Sequence, residues 1–437
     1  MPKAPVVFTL QKNNMADLPS LVSHIRESAP LPGVALLSYR AHVKDIVTLM
    51  GSFLGGKNFS KNPMLADLTV AMLEEGTKHR SREAIREALS AMGATIAFTC
   101  GGDRVGFRAT FLREHAPEVI EILAEQLQKP KCDAKILATV KEREIGSLKL
   151  AHDDTRYRAE ERLSQILYPK EHPNFETSTK DKISAVAAIN QQAVRDFHRS
   201  WGRGAFLMAA VGAISHEELA ALVEKNFSTW RSSILLPKGT PPANRSDKKI
   251  REIITVEDKA SVDFMMGAPI GINCLHPDFF ALYLGLQVLG GGGFNNRLTQ
   301  SVRERKGLTY HVRAGLGGMD DCVDGHWYAY GSFAPAILSR GERVMEDEIK
   351  KFVSYGVTAA ELAMKKESIA GSYIISLSTT GGFAGRILSF AEEGRPLTHI
   401  NEFPEIIKKL TLTEVNRAIG TYLYPKYAVS VAAGSVK

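Results

Sequence analysis

The chain repeats itself, and that repeat limits the possible folds more than any single motif does. One succession of elements occurs twice, at an offset of about 220 residues. In the first copy, helical spacing over 65–75 ends at Gly76, and a second helix over 81–92 ends at Gly93. A hairpin follows. Ile96 and Phe98 alternate inward, Gly101-Gly102-Asp103 turn, and Val105, Phe107, Ala109 and Phe111 alternate back. Helices over 116–128 and 134–149, an amphipathic stretch over 157–167, a helix near 191–199, a strand over 206–211 and a helix over 216–227 complete the copy. Strand-like runs at 6–10 and 34–39 precede it.

The second copy has a helix over 278–289, a glycine turn, a capped helix stopped by Gly307, and strands over 308–315 and 326–333 around G-G-M-D-D. Helices over 339–355 and 359–376 follow, and a strand over 428–433 echoes 206–211. Elements arrive as hairpins and helix pairs, not as strict β-α-β-α. This predicts an α+β chain of two homologous domains, each a mainly antiparallel sheet with helices packed on one face. Residues 231–250, rich in Pro, Gly, Ser and charge, cannot build a core. The expected division is therefore a domain at 1–232, a linker at 233–251 and a domain at 252–437.

Composition narrows the function classes. With 44% hydrophobic and 24% charged residues the chain reads as globular. A net charge of +7, with no dense basic tract interleaved with aromatics, gives nucleic-acid binding little support. A positive surface suits acidic peptides or an acidic partner. No apolar run reaches the roughly 18 residues of a membrane span. Cys100, Cys132, Cys274 and Cys322 are too scattered for a disulfide framework or zinc knuckle, so free, mostly buried thiols are expected. The N-terminus carries no signal-peptide apolar core. This predicts a cytoplasmic protein, or a periplasmic one if a leader has been removed.

The stretch from Leu289 to Arg313 carries the chemistry: L-G-G-G-G-F-N-N-R-L-T-Q-S-V-R-E-R-K-G-L-T-Y-H-V-R. Four glycines make a loose turn, and Asn295 or Asn296 caps the next helix. Leu298 and Val302 share its inner face. Arg303 lies on the outward stripe of Asn296, Thr299 and Lys306, and Tyr310 follows the stop at Gly307. A guanidinium and a phenol brought together suit an anionic oxygen such as that of a tetrahedral intermediate. On spacing alone, the commoner reading is a surface Arg beside a half-buried strand Tyr. The quadruple glycine lacks the Lys-Ser/Thr or G-x-G-x-x-G context of a phosphate loop, and reads as a flexible turn that lets backbone approach another chain.

This stretch resembles the C-terminal signature of the M16 (pitrilysin-type) zinc peptidases, especially the M16B group. The family pattern is a Gly turn, S-R-L, then R-E-x-x-G-L-A-Y. Here it stands as G-G-G-G-F-N-N-R-L and R-E-R-K-G-L-T-Y. The resemblance implies a fold like that of mitochondrial processing peptidase, one half of a clamshell. It also implies that Arg303 and Tyr310 bind substrate beside a zinc ion.

The family's own zinc motif, H-x-x-E-H within G-L-A-H-F-L-E-H-M-L-F-K-G-T, is lost. Met64 to Thr77 reads M-L-A-D-L-T-V-A-M-L-E-E-G-T. Asp67 and Ala71 stand at the His positions and Val70 at the Glu position. The place of the third ligand falls to Glu144, which reads as a solvated or paired helix charge. His115, His152 and His216 each lack a second His in reach and read as surface or capping residues. No Ser/His/Asp or Cys/His signature replaces the lost site.

The resemblance thus implies a non-catalytic, substrate-binding subunit of a heteromeric M16B zinc metalloendopeptidase, not active alone. Arg303 and Tyr310 would contact the substrate or transition state. No metal or cofactor is expected in this chain. A partner bearing H-x-x-E-H would supply zinc, in a heterodimer or larger assembly with peptide as substrate, and a homodimer is possible when the chain is alone. The alternatives are a scaffolding M16-like subunit or a stand-alone peptide-binding protein without peptidase activity.

Overall fold

The computed structural model describes residues 18–234, 240–244, 248–319 and 323–436. The strand expected at 6–10 and Cys322 lie outside the described residues, as does part of the expected linker. The chain forms two compact units, each built from three segments. The first comprises Met1–Ile145, Lys182–Lys238 and Ser372–Phe403; the second comprises Gly146–Asp181, Gly239–Gly371 and Pro404–Lys437. The units thus interleave along the chain, and a linear cut at 233–251 does not trace them.

In the first unit, β1 (Arg26–Ser28), β2 (Val34–Arg40), β3 (Ile46–Leu54), β4 (Thr95–Cys100), β5 (Arg104–Leu112) and β6 (Phe206–Gly212) form one sheet in the order β1-β2-β6-β3-β5-β4. Only β2 and β6 pair in parallel. The hairpin read from sequence is the β4–β5 pair, with Phe98 opposite Phe107. Helix Ala116–Gln128 starts with Pro at its first turn, and its stripe of Val119, Ile120, Leu123 and Leu127 is fully buried. That stripe packs with Leu36, Leu49, Phe53 and Phe206 of the sheet and with Leu219 and Val223 of helix His216–Phe227. Phe53 meets Trp201 and Trp230 edge-on at 5.4 and 4.9 Å between ring centroids, the favoured aromatic arrangement.

The second unit repeats the plan. β7 (Ile250–Thr255), β8 (Val262–Pro269), β9 (Val312–Gly317), β10 (His326–Phe333) and β11 (Val429–Gly434) are ordered β7-β11-β8-β10-β9. Again one pair, β7 with β11, is parallel. Strand β7 begins inside the stretch expected to be linker. Helices Phe279–Leu289, Leu338–Tyr355 and Leu412–Tyr422 bury one face of this sheet.

Each sheet also has its opposite face covered, by a helix whose sequence neighbours lie mostly in the other unit. Helix Thr380–Glu392 brings Phe383, Ala384 and Ile387 onto Leu37, Ala209 and Val211 of the first sheet. Helix Thr155–Leu167 brings Ala159 and Leu163 onto Met265, Val431 and Ala433 of the second. Buried Asp263 fixes that helix. Its carboxylate accepts the Thr155 hydroxyl at 2.5 Å and the Tyr330 hydroxyl at 2.6 Å, so the buried acid is satisfied on both oxygens.

Candidate functional site

In the second unit, the segment after helix Phe279–Leu289 is tied down at several points. Lys365 is 4% exposed, and its ammonium donates to the carbonyls of Gly291 (3.0 Å) and Gly292 (3.2 Å). Burial holds that ammonium below its ordinary value. The glycine turn is therefore anchored, not loose. Of the two possible caps, Asn296 serves: its Oδ1 accepts the Thr299 N–H at 2.8 Å while its Nδ2 donates to Gly293 O. Arg297 clamps the start of the turn, donating to both Glu361 oxygens (2.7 and 2.8 Å) and to Gly356 O (2.7 Å).

From Thr299 to Arg305 the backbone forms a π-helix instead of the expected α-helix. Such wide turns recur at functional sites. Leu298 and Val302 are fully buried as their spacing predicts, but Asn296 and Thr299 are buried too. The cap turns Asn296 inward, and the wider turn shifts which residues share a face. Gly307 adopts φ +60 and ends the helix, with its N–H on Arg303 O (2.9 Å) and that of Leu308 on Val302 O (3.0 Å). Only glycine takes this left-handed stop without strain.

The stop returns the chain past Arg303. The guanidinium carbon lies 4.2 Å from the Tyr310 ring centroid and 4.7 Å from that of Phe294. Tyr310 precedes β9 and is 67% exposed, so it is not the half-buried strand residue that spacing alone suggests. Phe294, which the sequence reading passed over, is 69% exposed. Its position just after four glycines was the available signal. Among the described residues, the carboxylate paired with Arg303 is that of its neighbour Glu304, at 3.4 Å. The result is a partly exposed guanidinium held on two aromatic faces, able to donate to an anionic or carbonyl oxygen.

The degenerate motif lies in the first unit, on helix Leu65–Met72. Val70 is buried in the core and Ala71 half-buried. Asp67 pairs with the Lys57 ammonium at 3.3 Å. Burial raises the Asp67 carboxyl above its ordinary value, against the opposing pull of Lys57. Glu144 is half-buried, not freely solvated, and is raised by burial and by the charge of Asp67. Cys100, at the end of edge strand β4, joins this cluster, and burial with the nearby Asp67 charge pushes its thiol up to about 12. No sequence spacing links Cys100 to the motif; only the hairpin brings it there.

These residues do not fit zinc. A catalytic site needs three strong ligands, usually with imidazole among them. Here two carboxyls raised toward protonation, one protonated thiol and a lysine share the space. Among the described residues, no group of three or more His, Cys, Asp and Glu side chains is placed to hold a metal ion.

Two other expectations are corrected. His216 is buried, not a surface residue: its ring nitrogens lie 2.7 Å from the hydroxyls of Ser38 and Ser28. Cys100 and Cys132 are only half-buried, whereas Cys274 is buried. His115 and His152 keep surface roles, near Glu114 and Arg158 respectively. Among the described residues no helix is long and apolar enough to cross a membrane.

Comparison with known proteins assigns the lineage. Residues 59–179 match the family described as insulinase (peptidase family M16), and residues 188–369 match the peptidase M16 inactive domain. A Helicobacter pylori protein called non-peptidase homolog YmxG is 24% identical over 377 residues, covering 84% of this chain and 83% of that one. A probable mitochondrial-processing peptidase subunit beta of Schizosaccharomyces pombe is 22% identical, covering 91% of this chain and 88% of that one. A solved peptidase M16 inactive domain from Pseudomonas fluorescens superposes with a TM-score of 0.86 at 23% identity, covering 94% and 98% of the two chains. Taken together, two adjoining family matches and full-length likeness in sequence and fold make this chain a member of the M16 peptidase family.

Proposed function

We propose that this chain is the non-catalytic, substrate-binding subunit of a heteromeric M16 zinc peptidase. A partner bearing H-x-x-E-H supplies the zinc and the general base. This chain supplies Arg303 and Tyr310, which reach the peptide carbonyl or the oxyanion developing from it. The observation that carries the reading is the Arg303 guanidinium, partly exposed and stacked on Tyr310 at 4.2 Å, in a chain whose zinc-motif positions hold Asp67, Val70 and Ala71. Edge strand β4, which pairs with β5 on one side only, adds a backbone ladder for an extended peptide.

Removing one oxyanion donor typically lowers turnover about 10²–10³-fold. Arg303→Ala and Tyr310→Phe are expected to lower kcat of the assembled enzyme on a quenched, unstructured peptide. Zinc content and assembly should stay unchanged. Normal turnover in both variants would sink the assignment. The Helicobacter relative is called a non-peptidase homolog, which leaves room for a second reading without peptidase activity, and we carry it as peptide binding or scaffolding. Peptide binding by this chain, with no chelator-sensitive cleavage after mixing with an H-x-x-E-H chain, would select it.

A further inference from the structure

A concave pocket of about 450 Å³ opens in the first unit where loop 129–133 meets helix Gln191–Ser200. Its wall carries five cations, Lys78, Lys129, Lys131, Arg195 and Arg199, against one carboxylate, Asp133. That carboxylate is already engaged. Its Oδ1 accepts the N–H groups of Lys135 and Ile136 at the start of helix Ala134–His152, at 2.8 and 3.4 Å. Arg199 pairs with Asp196 at 2.8 Å. Among the described residues no carboxylate pairs with Lys78, Lys129, Lys131 or Arg195. Helix dipoles account for cations in a last turn, as at Arg199, or just past an end, as at Lys129. They do not account for Lys78 and Lys131, which lie in loops, or for Arg195 in mid-helix.

The wall is also built in advance. Lys78 N–H donates to Lys129 O at 3.0 Å and Lys131 N–H to Gly76 O at 2.9 Å. Gln191 and Arg195 both donate to Cys132 O, at 2.6 and 3.0 Å. The loops are thus fixed before any ligand arrives, which lowers the ordering cost of binding. His198 donates from Nε2 to Leu127 O at 2.8 Å, and burial together with Lys78 holds its imidazole below the ordinary value, so it adds no charge.

Charge and shape select the ligand class. With Arg199 already paired to Asp196 and Asp133 on the wall, the five cations leave a surplus of three, whereas a single phosphate carries only about −1.5 to −2. Two or more phosphoryl groups match that surplus. No Phe, Tyr or Trp lines the wall, so no platform exists for a nucleobase. We propose that this pocket binds a small anion with two or more adjacent phosphoryl groups, recognised through those groups alone.

The test is calorimetric titration of the full chain with inorganic tripolyphosphate, beside ATP and inorganic phosphate. One saturable site is expected, with similar affinity for tripolyphosphate and ATP, weaker binding of phosphate, and steep loss on raising salt. Lys129→Ala/Lys131→Ala, both exposed positions, should weaken binding at least tenfold with an unchanged melting curve. Lys78→Ala should weaken it separately. Lys351→Ala/Lys409→Ala removes equal charge from the second unit and should change nothing. Absence of saturable tripolyphosphate binding at millimolar concentration, or equal weakening in the two double variants, would overturn the proposal. Binding of an oligonucleotide in place of tripolyphosphate would do the same.

Discussion

Arg297→Ala is expected to loosen the turn that presents Arg303 by about 2 kcal/mol at neutral pH. The arginine makes a bidentate pair with Glu361 at 2.7 and 2.8 Å, bonds Gly356 O at 2.7 Å, and lies 5.3 Å over the Phe352 ring. Breaking a fully buried pair costs about 3–5 kcal/mol, and an exposed one is worth about 0–1. This pair lies between, with side chains 17% and 26% exposed. Glu361 also keeps the Thr358 N–H and hydroxyl at 2.8 and 2.9 Å, so its carboxylate is not orphaned.

The pH dependence gives an independent check. The Arg297 hydrogen bonds hold the Glu361 carboxyl down to about 2, from an ordinary 4.5. A full shift of that size would correspond to about 3.4 kcal/mol, and solvent screening of this partly exposed pair reduces it to roughly half. A depressed carboxyl contributes stability that is complete above about pH 4.5 and disappears as pH falls toward 2. Hydrogen exchange with mass readout over residues 296–311 follows local opening of this segment. Arg297→Ala, Glu361→Gln and the double variant form the cycle. A coupling of about 1–2 kcal/mol at pH 7, smaller at pH 3.5, is expected. A coupling under about 0.5 kcal/mol, or one independent of pH, would refute the reasoning.

Three further outcomes follow from packing and burial. Phe294→Ala removes one of the two faces that hold Arg303; a cation–π contact at an exposed site is worth about 0.5–1 kcal/mol, so kcat/KM of the assembled peptidase should fall about two- to fivefold, and an unchanged value would show that Tyr310 alone positions the guanidinium. Gly341→Ala would usually stabilise a helix, yet its new methyl would come within 3.0 Å of the buried Phe333 ring, so chemical denaturation should show a loss of about 1–3 kcal/mol where stabilisation would contradict the packing. Cys100, its thiol pushed up to about 12, should resist iodoacetamide at pH 8 in the folded chain and react after denaturation, and rapid native alkylation of that residue by peptide mapping would contradict its burial beside Asp67.

Local chemistry made most element ends legible in the sequence. Ser81 caps helix Arg82–Ala91 through the Ala84 N–H, and helix His216–Phe227 runs as its spacing predicts. The hairpin turn at 101–103 and the stop at Gly307 also follow from residue type. Long-range placement was not legible. Helix Thr380–Glu392 contains T-G-G-F-A-G, poor helix-forming composition, and the burial of Phe383 and Ile387 on the first sheet overrides that propensity. Nothing in a one-dimensional pattern tells such a helix which sheet it will cover. The π-helix over Thr299–Arg305 is equally hidden, because the residue spacing that marks a buried face there reads as an ordinary helix. At the candidate site, the spacing of Arg303 and Tyr310 was readable, but Phe294 became relevant only once the anchored glycine turn set its ring beside the guanidinium.

The two units differ in chemistry, and the features of the first-unit site that oppose a metal reinforce one another. Asp67 faces Lys57, so a cation already sits where a divalent metal would need negative or neutral donors. Val70 belongs to the hydrophobic core, so a carboxylate there would have to be buried without a prepared partner. Burial raises both Asp67 and Glu144, and the Asp67 charge raises Glu144 further, which weakens both as ligands. A single reversion therefore leaves the others opposed to metal binding. In the second unit the stretch from Phe294 to Tyr310 holds together everything that presents Arg303: cap, clamp, wide turn, glycine stop and two aromatic faces. That asymmetry is the physical argument behind the proposed role, in which this chain would contact peptide while another chain performs the hydrolysis.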